Sequence, residues 1–453
     1  MRTFIILFCL IFSGTVLSGE SYDPTTLVFP PHGHSGGYHK ATSHTIRMVL
    51  SNDISFNDPQ GITLVKLNDL DDPSTHNDDD ELTFFAVNSG AGQIVYNDGL
   101  KDIKVYGSTG VSQLQLWEPQ GIASTPSGDI YVADKNNHRI VHLKYNQGNL
   151  EFQRFIGNGL GTAPGNLSYP QDVAVDSRGN IYITEMGNNR ISVFDRNGIF
   201  QRVIGVGFLN KPFGIAVLDR VDPWTYYHDR DFLAVSDADN FRMTIFDLQG
   251  NRKKSLDGYD LENEEIYFGY LAIDYYSMVY ATDRRNSQIH IFTKDLKFIT
   301  SYGREGTGDK EFHSPRGIAI WKRFGQILIL EQQSAQYYWL GVDAMIKGAF
   351  PDAFSFENPG STISVYITQP ADITLEVYNK QGALVRDLLP QFREVPGFTQ
   401  VLWDGKDNQG EIVDTGEYQV KLIVTPTYSS KGYFKKELFT TVLCRDSIVN
   451  PEE

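Results

Sequence analysis

Short runs of alternating apolar and polar residues fill most of this chain, and tight polar turns separate them. One such unit is Gly128-Asp-Ile-Tyr-Val-Ala-Asp-Lys-Asn-Asn-His-Arg-Ile140, where strand-forming side chains precede a turn and a second apolar run. The same arrangement returns at residues 179–191. No long segment has apolar residues at a period of 3.6, so the pattern predicts strands and very little helix.

The runs are grouped into six repeats. Each repeat opens with a sequence of the type Pro-x-Gly-Ile-Ala-Val, and the openings begin at Pro59, Pro119, Pro170, Pro212, Phe268 and Pro315. Each opening strand is followed by a second strand that ends in a polar residue, and then by further strands. Four-stranded repeats predict a propeller, because a radial arrangement buries both faces of every sheet against its neighbours.

After about residue 352 the pattern changes to longer alternating strands, clearest at residues 373–377 and 418–422. Strands broken by Gly, Asn and Asp turns over roughly 90 residues predict a small β-sandwich. We therefore expect an all-β protein in which a six-bladed β-propeller precedes a sandwich.

The N-terminus predicts a secretory signal peptide over residues 1–18, because Arg2 precedes an apolar stretch and Ser18 and Gly19 follow it. We expect residues 46–50 to form a strand that closes the ring by pairing with the last blade. The predicted divisions after the signal peptide are a lead-in with this strand at 19–56, the propeller at 57–352, the sandwich at 353–446 and a tail at 447–453.

The charge and the cysteine content limit the class of partner and the cellular compartment that the sequence predicts. The formal net charge of −16 argues against a nucleic-acid partner, because phosphate binding needs a basic face. Cys9 lies inside the predicted signal peptide, so only Cys444 would remain and no intramolecular disulfide could form. These features predict a secreted bacterial protein, periplasmic or extracellular, monomeric and without a transmembrane anchor.

The Pro-x-Gly-Ile-Ala-Val openings and the turns of the type at residues 131–140 resemble the NHL-repeat family of six-bladed propellers, over nearly two thirds of the chain. This resemblance implies the fold but no single function, since the family includes scaffolds, protein-binding and RNA-binding modules and a few lyases. The C-terminal region resembles the FlgD-type immunoglobulin-like family, which implies a structural or attachment module. The matching pieces are residues 358–363, 378–382, 403–410 and 416–418.

The first candidate site is the position after each opening proline, because the innermost strands of a propeller line its channel. Its side chains are expected at one channel entrance, where they could hydrogen-bond to a ligand or stack on it: Gln60, Gln120, Gln171, Phe213 and Arg316. This set lacks the several histidines of a channel zinc site, which argues against a lyase of the peptidylamidoglycolate type.

The second candidate site is an insertion in the fourth repeat, at residues 219–231. Its Trp224, Tyr226 and Tyr227 could stack on a sugar or grip a peptide. The alternative is that these rings only pack on the rim of the propeller.

The third candidate is a set of carboxylates that end the second strands and could bind a cation: Asp134, Glu185, Asp237, Asp283 and Glu331. We favour a structural role, in which each carboxylate accepts hydrogen bonds from its own turn and three of them pair with the arginine five residues on. Those arginines are Arg139, Arg190 and Arg242.

Two further clusters could bind metal. Calcium is the candidate cation for an acidic insertion in the first repeat, which holds Asp69, Asp71, Asp72, Asp78, Asp79, Asp80 and Glu81. Four histidines of the lead-in offer nitrogen ligands: His32, His34, His39 and His44. Charge runs are usually solvated, and the histidines lie among flexible residue types, so no cofactor is predicted with certainty.

Together these features predict a non-enzymatic binding or scaffold protein whose propeller presents a surface to a protein or polysaccharide outside the cell. The alternative is an enzyme, a propeller lyase or lactone hydrolase with a metal ion in the central channel.

Overall fold

The computed structural model describes residues 24–31, 39–50, 54–71, 82–98, 102–261 and 266–446. The predicted signal peptide, His32, His34, residues 72–81 of the acidic insertion and the predicted tail at 447–453 lie outside these ranges. No helix among the described residues has the length and apolar character needed to cross a bilayer.

The N-terminal region contributes strands β1 (Leu27–Val28) and β2 (Lys40–Thr42) and one helix, α1 (Ser43–Leu50). The strand expected at residues 46–50 is therefore part of this helix. Thr42 caps it, since the Thr42 hydroxyl accepts from the backbone N–H of Thr45 at 3.2 Å, and Ile46 packs inward beside Ile54. The local cap and the burial of Ile46 outweigh the β-branched composition of this stretch.

Six antiparallel sheets form the propeller, and each is one blade. The strands of blades 1 to 3 are β3 (Pro59–Lys66), β4 (Leu82–Asn88), β5 (Gln93–Asp98), β6 (Asp102–Tyr106), β7 (Pro119–Ser124), β8 (Asp129–Asp134), β9 (Arg139–Asn146), β10 (Asn149–Ile156), β11 (Pro170–Val175), β12 (Ile181–Glu185), β13 (Arg190–Phe194) and β14 (Phe200–Ile204). Those of blades 4 to 6 are β15 (Pro212–Leu218), β16 (Phe232–Asp237), β17 (Arg242–Phe246), β18 (Arg252–Asp257), β19 (Leu271–Ile273), β20 (Val279–Asp283), β21 (Gln288–Phe292), β22 (Phe298–Tyr302), β23 (Ile318–Trp321), β24 (Gln326–Leu330) and β25 (Ser334–Leu340).

The N-terminal strands complete the last blade. Both β1 and β2 pair antiparallel with β25, so the outer edge of blade 6 comes from the beginning of the chain. The first strands of successive blades contact one another, and β23 of blade 6 contacts β3 of blade 1. The six-bladed ring is thus closed, which confirms the predicted propeller.

The glycine of the opening motif lets the inner strands approach each other. A Cβ on Gly61 would lie 2.8 Å from the carbonyl oxygen of Gln120 in the next blade. A Cβ on Gly214 would collide with the backbone of Gly269, and one on Gly317 with that of Gln60. Glycine is needed here because the backbones of neighbouring blades meet around the channel.

The C-terminal domain is a sandwich of two sheets, one in the order β26-β28-β31 and one in the order β27-β33-β32-β29-β30. Its strands are β26 (Ala344–Phe350), β27 (Ala353–Ser355), β28 (Ser361–Ile367), β29 (Ala371–Tyr378), β30 (Leu384–Glu394), β31 (Gly397–Trp403), β32 (Gly416–Pro426) and β33 (Lys436–Arg445). Trp403 is fully buried between the sheets, where it packs edge-on against Phe354.

The sandwich docks on one end of the propeller, at the loops that join the first and second strands of blades 5 and 6. The ring of Tyr428 packs against that of Tyr276 with centroids 5.5 Å apart, and the Ser430 hydroxyl donates to the carbonyl oxygen of Leu340 at 2.6 Å. The turns that follow the second strands lie at the opposite end, because the strands are antiparallel. That opposite end, with the channel entrance, points away from the docked sandwich.

Candidate functional site

The carboxylates that end the second strands hold the openings of their own blades. Each accepts a hydrogen bond from a backbone N–H just before the inner strand, from Trp117 to Asp134, Ser168 to Glu185, Asn210 to Asp237, Tyr267 to Asp283 and His313 to Glu331, at 2.6–3.0 Å. The arginine pairs form as well, with Nε to carboxylate distances of 2.8 Å for Arg139, 2.7 Å for Arg190 and 2.7 Å for Arg242. Each carboxylate thereby fixes the start of the strand that reaches the channel entrance.

These five carboxylates are fully buried, and their hydrogen-bond partners come from their own blades. Besides the turns and the segments before the inner strands, the partners include Ser192 and His290 on third strands and Lys40 of β2. Among the described residues no three His, Cys, Asp or Glu side chains are grouped so that they could hold a metal ion. The structure therefore does not bring Asp134, Glu185, Asp237, Asp283 and Glu331 together as a set of cation ligands. Of the acidic insertion only Asp69 and Asp71 are described, and Asp71 pairs with Lys66 at 2.5 Å.

The five side chains expected at the channel entrance line one cavity of about 410 Å³. Its described wall consists of Asp58, Gln60, Ser89, Gly90, Glu118, Gln120, Lys135, Gln171, Met186, Phe213, Arg284 and Arg316. The volume lies in the range of roughly 300–1,000 Å³ that is usual for ligand sites. The repeat position after each opening proline thus forms a shared surface at the free end of the propeller.

A chain of amide hydrogen bonds holds the glutamines in place. The Gln171 amide donates to the carbonyl oxygen of the Gln120 side chain at 3.0 Å, and the Gln120 amide donates to the Ser89 hydroxyl at 3.2 Å. The Gln60 amide donates to Asp58 at 2.9 Å. Because neighbouring side chains already orient these three amides, a ligand would meet a rigid polar surface.

Sequence reasoning missed two side chains that enter the channel. Four blades have glycine at the third position of the opening, but blade 3 has Asp172 and blade 5 has Tyr270. Asp172 accepts from the backbone N–H of Ile215 at 3.0 Å, and burial raises its pKa to about 7. Tyr270 packs edge-on against Phe213 with centroids 5.0 Å apart. The departure from glycine was the signal that could have found them.

A backbone feature was also missed. The residue before each opening proline has a left-handed φ of 47–54°, at Asp58, Glu118, Tyr169, Lys211 and Ser314. This conformation costs an L-residue about 1–2 kcal/mol, and no sequence pattern predicts it. Two of these residues, Asp58 and Glu118, lie in the wall of the cavity.

The aromatic insertion lies at the other end of the propeller, beside the sandwich. Its rings pack on blades 5 and 6, Trp224 on Trp321 at 6.3 Å, Tyr226 on Tyr276 at 5.1 Å, and Tyr227 under the Lys294 ammonium at 3.7 Å. The side chain of Tyr226 remains 42% exposed. The structure therefore does not unite the two candidate ligand sites.

Comparison with known proteins agrees with this architecture. The model of the NHL repeat matches residues 116–143 and 167–194, and the model of the FlgD Ig-like domain matches residues 352–427. The chain carries NHL repeats and a C-terminal FlgD Ig-like domain.

The NHL propeller is similar to two curated proteins. It is 33% identical to protein brain tumor of Drosophila melanogaster over 148 residues, which is 32% of this chain and 13% of that protein. It is 31% identical to NHL repeat-containing protein 3 of Homo sapiens over 93 residues, 20% of this chain and 25% of that protein. The matches thus span at most a quarter of these relatives' lengths.

Among solved structures, a selenomethionine-substituted virginiamycin B lyase from Staphylococcus aureus is 15% identical, and the match covers 66% of this chain and 98% of that one with a TM-score of 0.43.

Proposed function

We propose that this chain is a secreted bacterial binding or scaffold protein, without enzymatic activity, whose NHL propeller holds a protein or polysaccharide at the free entrance of its channel. The observation that carries the proposal is the cavity of about 410 Å³. Five side chains from five different blades meet there, and they were expected at this entrance because they share one repeat position.

The character of the wall supports binding. Gln60, Gln120 and Gln171 are each less than 9% exposed and present amide groups, while Phe213 adds an apolar surface beside them. A concave site with a few oriented polar groups and one apolar wall is typical of ligand recognition.

The position of the docked sandwich supports separate roles for the two domains. It covers the loops of blades 5 and 6 at the end away from the cavity, through contacts such as that between Tyr276 and Tyr428. We infer that the sandwich is the structural or attachment module and that it leaves the cavity open to a partner.

The proposal is tested by applying the purified chain to arrays of extracellular bacterial proteins and of cell-surface glycans. A variant with Gln120→Ala and Phe213→Ala should lose the binding that the unaltered chain shows. The control is Phe439→Ala, which changes an aromatic side chain that is 52% exposed on the sandwich. Circular dichroism would establish that all variants are folded. Arrays without any bound ligand, or binding that the cavity variant retains, would refute the proposal.

A further inference from the structure

Five charged side chains line the cavity at the channel entrance, and four of them neutralise one another in pairs. Lys135 contacts Glu118 at 3.0 Å, and Arg316 contacts Asp58 at 3.1 Å. The fifth is Arg284, an exposed residue that makes no hydrogen bond or ion pair with any described residue. The described wall thus carries one positive charge more than it carries negative charges.

The guanidinium group of Arg316 uses only part of its hydrogen-bonding capacity. Its side chain is 7% exposed, and one terminal nitrogen contacts Asp58, which is itself half-exposed. The Nε atom of Arg316 is buried and has no hydrogen-bond partner among the described residues. A guanidinium group presents its N–H groups as a fork that fits the two oxygens of a carboxylate, so an unused Nε points to a missing acceptor.

The channel beneath the two arginines supplies little compensating charge. Burial raises the pKa of Asp172 to about 7, so this carboxyl is largely protonated below neutral pH. Burial and the nearby Arg284 lower the pKa of Arg316 by more than Asp58 raises it. A ligand anion beside Arg316 would favour its charged form and so raise this pKa again.

The uncharged residues that line the cavity indicate which class of ligand carries the anion. Phe213 is the one aromatic ring among the described lining residues, and it packs edge-on against Tyr270. The cavity therefore lacks the broad aromatic platform on which a sugar ring stacks. Side-chain amides of Gln60, Gln120 and Gln171 instead match the alternating donors and acceptors of a peptide backbone.

We propose that this cavity binds a carboxylate side chain of an acidic peptide segment, with Arg284 and Arg316 as its cationic contacts. This inference rests on the proposed function and specifies its partner as a protein. The distant acidic residues of the chain oppose it weakly, because charges more than about 8 Å apart are largely screened at physiological salt.

The test uses three probes in isothermal titrations at about 0.15 M salt. They are a blocked tri-glutamate peptide, the matching tri-glutamine peptide and trigalacturonate. The first should bind, and the second at least about tenfold more weakly, because charged hydrogen bonds are lost.

Arg284→Gln should weaken tri-glutamate binding about tenfold. The matched control is Arg285→Gln, which removes the same charge from the adjacent exposed residue and should leave binding unchanged. Arg285 lies over the ring of Tyr267, outside the cavity.

Three results would overturn the inference: equal affinity for the glutamate and glutamine peptides, equal losses in the two arginine variants, or preferential binding of trigalacturonate. Each of them leaves the proposed function standing if the array ligand still depends on Gln120 and Phe213. An array without any cavity-dependent ligand overturns the proposed function itself. Tri-glutamate binding that is lost only in Arg284→Gln supports both proposals.

Discussion

Replacing Glu185 by alanine tests whether the buried carboxylates hold the blades together. Glu185 is fully buried and accepts from the backbone N–H of Ser168 at 2.9 Å and from Nε of Arg190 at 2.7 Å. Arg190 also donates to the carbonyl oxygens of Thr162 and Asn166 at 2.8 and 2.9 Å. The pair therefore ties the end of a second strand to the loop that leads into the inner strand of blade 3.

Removing one partner of a buried ion pair costs about 3–5 kcal/mol, because the other charge is left uncompensated. We expect about 3 kcal/mol for Glu185→Ala, at the low end, because Arg190 keeps its two carbonyl acceptors. Adding Arg190→Met to this variant removes the stranded cation and should restore part of the lost stability. The two substitutions together should thus cost less than the sum of their separate effects.

Urea denaturation followed by tryptophan fluorescence measures these free energies of unfolding. Glu151→Ala is the control, since this exposed glutamate makes only a surface hydrogen bond to Asn146. Calcium and a chelator should leave the midpoint of the unaltered chain unchanged. A loss below about 1 kcal/mol, or a midpoint that depends on calcium, would refute the structural role and favour a cation site.

Three further predictions concern stability. Gly214→Ala should cost about 1–3 kcal/mol in urea denaturation, because its Cβ would meet the backbone of Gly269, whereas Gly432→Ala, with open space around it, should be nearly neutral. Burial raises the pKa of Asp172 and of Asp274 to about 7, so the folded state binds protons more tightly than the unfolded state. The free energy of unfolding should therefore fall as the pH rises from about 4 to about 7, and Asp172→Asn should reduce that slope in a pH series of urea midpoints; a slope that the variant leaves unchanged would contradict this. Trp403→Ala should lower the free energy of unfolding of the sandwich by about 3–5 kcal/mol, because the fully buried ring packs against Phe354. In limited proteolysis of this variant, the C-terminal domain should be cleaved earlier than the propeller.

Repetition made the propeller and part of its channel entrance predictable. Residues at one repeat position must occupy equivalent places in a ring, so Gln60, Gln120 and Gln171 could be assigned to one surface from the sequence. The same logic applied to departures from the repeat would have found Asp172 and Tyr270. Each of these assignments needs only the alignment of the chain with itself.

Features that depend on contacts between blades could not be predicted in this way. Asp58 and Arg316 belong to the first and last blades, and they pair only because the ring closes. The insertion with Trp224 packs on Trp321, two blades further along the chain, which no local pattern reveals. Helix α1 was missed because its single cap, at Thr42, lies in a stretch without a long apolar period.

The pairing of β1 and β2 with β25 has a consequence for how the molecule is made. These strands meet across about 300 residues, and closing a loop of that length costs about 5 kcal/mol of chain entropy. Synthesis proceeds from the N-terminus to the C-terminus. The first strands of the chain must therefore stay unpaired until the sixth blade has been synthesised. Such long-range pairing makes folding slow, because the loop-closure entropy is lost before the contacts of the last blade compensate for it.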